Sequence, residues 1–174
     1  VQDGRAEGKA AAPQFVKQYL AIIAGAPDAQ LPAAGVLRDY LFKDSRKGRV
    51  FPVSRPRKGV REAVLEYRIL ATAGENSLAE ITLHTGRTHQ IRAHLASTGH
   101  PLLGDTKYGD SKLNRRMQSE YSLHHQLLHA GRVCFPEEAE GPLAKVSGQT
   151  FDAPLPHKFA EILQALNLTP DSAC

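Results

Sequence analysis

Apolar and polar residues alternate along five stretches of this chain, each bounded by Gly, Pro or charged residues: Val16–Gly25, Val36–Asp44, Ala63–Thr72, Ser77–Thr85 and Leu127–Phe135. Alternation with period two is the mark of a half-buried strand, so these stretches predict five β-strands. Only Gly74, Glu75 and Asn76 separate the third from the fourth, a spacing that predicts an antiparallel hairpin. Helical periodicity is rarer. Thr88–Thr98 (THQIRAHLAST) places Ile91 and Leu95 one turn apart and is followed by Gly99, a residue suited to ending a helix. After Pro154 and Pro156, Phe159, Ile162, Leu163 and Leu166 fall at i, i+3, i+4 and i+7, an amphipathic stripe that should dock on the sheet. The stretches AEGKAAAPQ and AGAPDAQLPAAG read as connectors, and neither repeats nor low-complexity tracts interrupt the pattern. Strands in succession with helices inserted late predict an α+β fold, a mostly antiparallel or mixed sheet flanked by helices.

Composition narrows this picture to one domain. The chain has 174 residues, 41% of them apolar and 23% charged, enough to bury a single core. It contains no run of roughly eighteen apolar residues, and its opening VQDGRAEGKAAAPQF has no apolar signal region, so a soluble protein is expected. Cys134 and Cys174 are the only cysteines and form no CxxC pair, which suits a reducing compartment, the cytoplasm by default. The first residue is Val, which raises the expectation that the chain is part of a longer one.

Charge adds a partner. The net charge is +4, and between Arg46 and Arg61 (RKGRVFPVSRPRKGVR) stand seven Lys or Arg and no acid. A cationic stripe of this kind attracts a polyanion and releases its counterions, which points to nucleic acid; the competing reading is a solvated basic loop.

The chemistry gathers in His84–Gly109, HTGRTHQIRAHLASTGHPLLGDTKYG, where three Arg or Lys, four His and four Gly lie between strand-like runs. Thr85–His94, Gly99–Gly109 and the later Leu128–Ala130 (LHA) resemble, in order, the TGRTHQIRxH, GHPIxGDxxYG and LHA motifs of the RluA family of pseudouridine synthases. KQYLAIIAG and REAVLEYRIL are similar to that family's KxYxAxVxG and KxAxTxYxVL strands. The resemblance runs from Val16 to Pro136. The family's nucleophile, an Asp in an HRLDxxTSG motif ahead of the KxY strand, has no counterpart in these 174 residues, and Asp3 in VQDGRA matches nothing. The resemblance therefore implies the C-terminal part of one synthase catalytic domain, residues 1–174, truncated on its N-terminal side and inactive alone.

Further expectations follow from the resemblance. The reaction isomerises uridine to pseudouridine in structured RNA, rRNA or tRNA, and requires no cofactor and no metal. A carboxylate nucleophile shielded from water stays ionised only beside a cation, and the family's cation corresponds to Arg92, whose planar, permanently charged fork suits the task better than Lys. Tyr19 corresponds to the Tyr that stacks on the extruded base and is a candidate for taking the C5 proton, and Leu128 to an apolar residue packing on the base from the other side. For RNA contacts, Lys17, Arg46, Lys47, Arg49, Arg55, Arg57, Lys58, Arg87, His89 and Gln90 are the candidates, with orienting the Arg92 helix as the alternative role of His89 and Gln90. Thr88 is placed to cap the Arg92 helix, and Asp105 and Tyr108 to hold the following loop.

Two rival readings stand beside this one. His84, His89, His94, His100, His124, His125 and His129 raise zinc, but His89 and His94 are spaced to point apart on a helix, and no HExxH or cysteine pair accompanies them. An RNA-binding protein without catalysis accounts for the basic stripe and the missing Asp, but not for Arg92, Tyr19 and Leu128 occurring together.

Overall fold

A computed structural model describes residues 15–139 and 141–170; Asp3 and Cys174 lie outside the described residues. Seven strands form one sheet: β1 (Val16–Ala24), β2 (Ala34–Asp44), β3 (Arg49–Val53), β4 (Val60–Ala73), β5 (Asn76–Leu83), β6 (Leu128–Cys134) and β7 (Thr150–Asp152). Their order is β3-β2-β4-β5-β1-β6-β7, and every pairing is antiparallel. All five expected strands are present, and the β4–β5 hairpin closes through Gly74 at φ 56 and Glu75.

Three helices cover the sheet: α1 (Gln90–Ser97), α2 (Ser111–Tyr121) and α3 (His157–Ala165). Alternation along the central strands sorts the core by face. Ala21, Ile23, Leu65, Tyr67, Ala79 and Ile81 pack with Ile91 and Leu95 of α1, whereas Ile22 and Leu78 pack with Met117 of α2 and Phe159, Ile162 and Leu163 of α3. The sheet is thus covered by α1 on one side and by α2 and α3 on the other, which leaves its central strands buried on both faces. No helix among the described residues is long and apolar enough to cross a membrane.

Four elements escape the sequence reading, one of them a short 3-10 helix at Gly141–Val146. The basic stripe is not one loop: Arg49–Val53 is the edge strand β3, paired to β2, with turns on either side. Proline is admitted there because an edge strand can leave one backbone edge unpaired. Helix α2 was also unanticipated; it starts at Asp110, whose side chain accepts from the Leu113 N–H at 2.6 Å. The fourth is β7, a short strand with all three residues exposed.

Candidate active site and nucleic-acid interface

Helix α1 holds Arg92 at the edge of its packed stripe. The arginine's Nε donates to Asp105 Oδ2 and its Nη2 to Asp105 Oδ1, each at 2.8 Å. Asp105 is 0% exposed, while the Arg92 side chain is 14% exposed, so the pair is buried on the carboxylate side and open on the other. Backbone N–H groups of Lys107 and Tyr108 also donate to Asp105 Oδ1 at 2.9 Å. Burial alone would raise the Asp105 pKa, but the Arg92 fork and these two N–H groups outweigh it and hold the carboxyl below its ordinary value. Arg92 is shifted upward in turn, chiefly by its hydrogen bonds to Asp105. Nη1 has no protein acceptor among the described residues.

The loop that presents Asp105 is itself anchored. Asn114 of α2 accepts from the Gly104 N–H and donates to the Asp105 carbonyl, both at 2.9 Å. Gly104 has φ 78, and a Cβ there would collide with the His125 carbonyl oxygen; at Gly109 it would collide with that of Asp105. Only glycine permits these backbone approaches.

Tyr108 ties the site to the basic edge. Its hydroxyl accepts from the Val50 N–H of β3 at 2.8 Å and lies 3.0 Å from His89 Nδ1. The hydroxyl accepts from Val50 and keeps its own proton, so it can donate to Nδ1 of a neutral imidazole protonated at Nε2 or accept from Nδ1 in the other tautomer. Burial first, then the cations Arg92 and Lys107, lower the His89 pKa and favour a neutral ring. The guanidiniums of Arg49 and Arg92 lie 5.0 and 5.2 Å from the centre of the Tyr108 ring, within cation–π range.

The N-terminus of α1 corrects two expectations. Thr88 does not cap it: the helix begins at Gln90, its N-cap is His89 at φ 53, and no side chain makes the capping bond. Gln90, expected among the RNA contacts, is 2% exposed, and both its side-chain oxygen and its nitrogen bond to protein. Its Oε1 accepts from the Arg87 N–H at 3.0 Å and from Thr85 Oγ1 at 2.8 Å, and its Nε2 donates to the Val64 carbonyl at 3.0 Å. Gln90 therefore orients the helix that bears Arg92.

The other expected residues divide between the sheet face and its rim. Tyr19 on β1 and Leu128 on β6 are half-buried against the cluster that includes Ile91, so they share the α1 face with the arginine helix. Leu128 is opposite Ala21, two residues along from Tyr19, which makes the two side chains diagonal neighbours. Lys17 alternates onto the same face as Tyr19 and is exposed. Arg46 and Lys47 project from the β2–β3 turn, where Asp44 accepts from both their N–H groups at 3.0 and 3.1 Å. Arg55, Arg57 and Lys58 are exposed in the β3–β4 connection, with Arg57 lying 5.4 Å from the Phe42 ring centre. Arg87 is half-buried, its Nε bonded to the Glu62 carbonyl at 2.9 Å. Among the described residues no three His, Cys, Asp or Glu side chains gather in a group able to hold a metal ion. The sequence ties Asp105 only to holding its loop and gives no sign of Asn114.

Fold and site together define an α+β domain whose cationic sheet edge leads to one buried arginine–aspartate pair. The RNA pseudouridylate synthase family matches residues 8–97, more than half of the chain. This chain belongs to that family, in its RluA branch. It is 33% identical over 165 residues to an uncharacterized RNA pseudouridine synthase of Chlorobaculum parvum, covering 88% of this chain and 47% of the relative. Over 162 residues it is 33% identical to ribosomal large subunit pseudouridine synthase D of Nitrosomonas europaea, covering 90% of this chain and 42% of the relative. Human RNA pseudouridylate synthase domain containing 4 superposes with a TM-score of 0.69 at 26% identity, covering 90% of this chain and 64% of that one. The chain thus spans less than half the length of these two curated relatives.

Proposed function

We propose that this chain supplies the arginine-bearing part of an enzyme that isomerises uridine to pseudouridine in structured rRNA or tRNA. In that reaction the bond from uracil N1 to the ribose breaks, the base turns in place, C5 joins the same sugar carbon and gives up its proton, and the freed N1 takes one up. A carboxylate nucleophile must remain charged in a site that excludes water, and a fixed guanidinium makes this possible. The observation that carries the reading is the fork of Arg92: two of its nitrogens are held by buried Asp105, and Nη1 remains for a second carboxylate. Tyr19 and Leu128, on the same sheet face, suit the two sides of an extruded base. Lys17, Arg46, Lys47, Arg49, Arg55, Arg57, Lys58, Arg87 and His89 would then border the RNA path.

The 174 residues hold no HRLDxxTSG-like motif, so on this reading they do not catalyse the reaction by themselves. The same observation favours a second reading, an RNA-binding protein of this fold without catalysis. Release of tritium from RNA labelled at uridine C5, by the full-length natural protein, separates the two. Turnover supports the synthase, and RNA binding without turnover supports the binding module.

A further inference from the structure

On the sheet face that carries α1 lies a pocket of ≈ 260 Å³ of which the reading above uses only Arg87. Leu41 of β2 and Val50 of β3, 4% and 3% exposed, line it with apolar surface. Cations reach it from three separate elements: Lys43 from β2, Arg61 from β4 and Arg87 from the loop ahead of α1. No Asp or Glu lines it. Among the described residues none of the three cations is in an ion pair, and Arg87 is tethered only through Nε to the Glu62 carbonyl. At the rim, Gly59 and Gly86 have open space where a Cβ would stand, so a strand can approach the backbone closely.

Like charges gathered around a concave, partly apolar pocket repel one another and focus a positive potential into it, and a bound anion relieves both. We infer that this pocket holds one phosphodiester group of the RNA strand whose uridine reaches Arg92. The inference rests on the proposed RNA substrate and adds a defined anchor for its backbone. The pocket is coupled to the arginine through few atoms. Val50 in its wall donates to the Tyr108 hydroxyl, and the Tyr108 ring lies 5.2 Å from the Arg92 guanidinium. A phosphate held here would set the register of the strand without reading its sequence. Lys43 and Arg61 become positioning residues for the reacting nucleotide, distinct from the dispersed cations of the β3–β4 connection.

The test uses the full-length natural protein carrying Lys43→Gln and Arg61→Gln, both exposed positions without ion pairs, with a short oligouridylate and inorganic phosphate as probes. The oligouridylate should shift the backbone amide resonances of Gly59 and Gly86 in the parent and not in the double variant. Because both side chains serve one phosphate, the double variant should flatten the salt dependence by about 0.7 in slope, one single-strand contact. Unchanged affinity and slope would overturn the pocket, and so would a loss twice as large, which would mean two independent contacts. Glycine shifts with inorganic phosphate but none with oligouridylate would also overturn it, identifying a small-anion site. Tritium release by the parent keeps the outcomes distinct: if it is absent while the pocket behaves as expected, the synthase reading fails and the phosphate anchor stands.

Discussion

Asp105 is fully buried, yet it stays charged because four hydrogen bonds, two from Arg92 and two from the backbone, converge on its oxygens. Removing it would strand a half-buried guanidinium and two N–H groups. Asp105→Ala is therefore expected to destabilise the chain by about 3–5 kcal/mol in urea unfolding, the cost of breaking a buried pair from one side. The pH dependence follows with a definite sign. The folded carboxyl lies below its ordinary value of 3.8, so its contribution is fully present above that value and is lost as pH falls through the folded value. An acid titration of unfolding should show the parent losing stability below about pH 4 more steeply than Asp105→Asn. The motif resemblance pointed to Arg92, Tyr19 and Leu128, but it could not show that Asp105 is the arginine's partner, because that contact joins a helix to a loop thirteen residues away. Asn114 left no signal at all: a single Asn in a charged segment has no pattern until the loop it bonds is in place.

At the scale of elements, what was legible follows burial. The strands β1, β4 and β5 and the helices α1 and α3 bury a regular apolar face, and period two or 3.6 survives in their sequences. Helix α2 buries only Met117 fully, in SKLNRRMQSEY, and so looks like a solvated charge run. Strand β3 was hidden for a related reason, since Arg49–Val53 combines an arginine and a proline within a cationic stretch and pairs along only one edge. Leu95, 0% exposed where α1 meets the sheet, gives the packing a direct check: Leu95→Ala should cost about 2–5 kcal/mol by calorimetry, and a near-zero cost would mean that α1 is not fixed by its apolar stripe. The basic connection between β3 and β4 predicts a different phenotype. Replacing Arg55, Arg57 and Lys58 with Ala should leave stability nearly unchanged and weaken RNA binding regardless of sequence, reducing the salt slope by roughly 0.7 to 0.9 per phosphate contact. An unchanged slope would make these residues a solvated loop.

For the molecule as a whole, one sheet separates two functions of packing. The α2–α3 side closes a core and anchors the Asp105 loop through Asn114, and the α1 side presents Arg92, Tyr19 and Leu128 beside a cationic edge. Net charge and the basic stripe raise the expectation of a polyanionic partner from the sequence, whereas the convergence of Lys43, Arg61 and Arg87 depends on strand register and emerges only in three dimensions. The 174-residue chain should bind RNA but release no tritium from uridine labelled at C5, and turnover by this chain alone would show that a carboxylate within it acts as the nucleophile. The central claim is that Arg92, fixed by Asp105, provides the cation that chemistry at the uridine requires. Its most direct test is the single-turnover rate of pseudouridine formation by Arg92→Lys in the full-length protein at saturating enzyme, measured beside its melting temperature. Lysine keeps the charge but loses the fork, so the rate should fall about 10²-fold or more while most of the folding stability remains. A rate close to the parent's, or one lost only in proportion to folded protein, would contradict the account and leave Arg92 a structural residue.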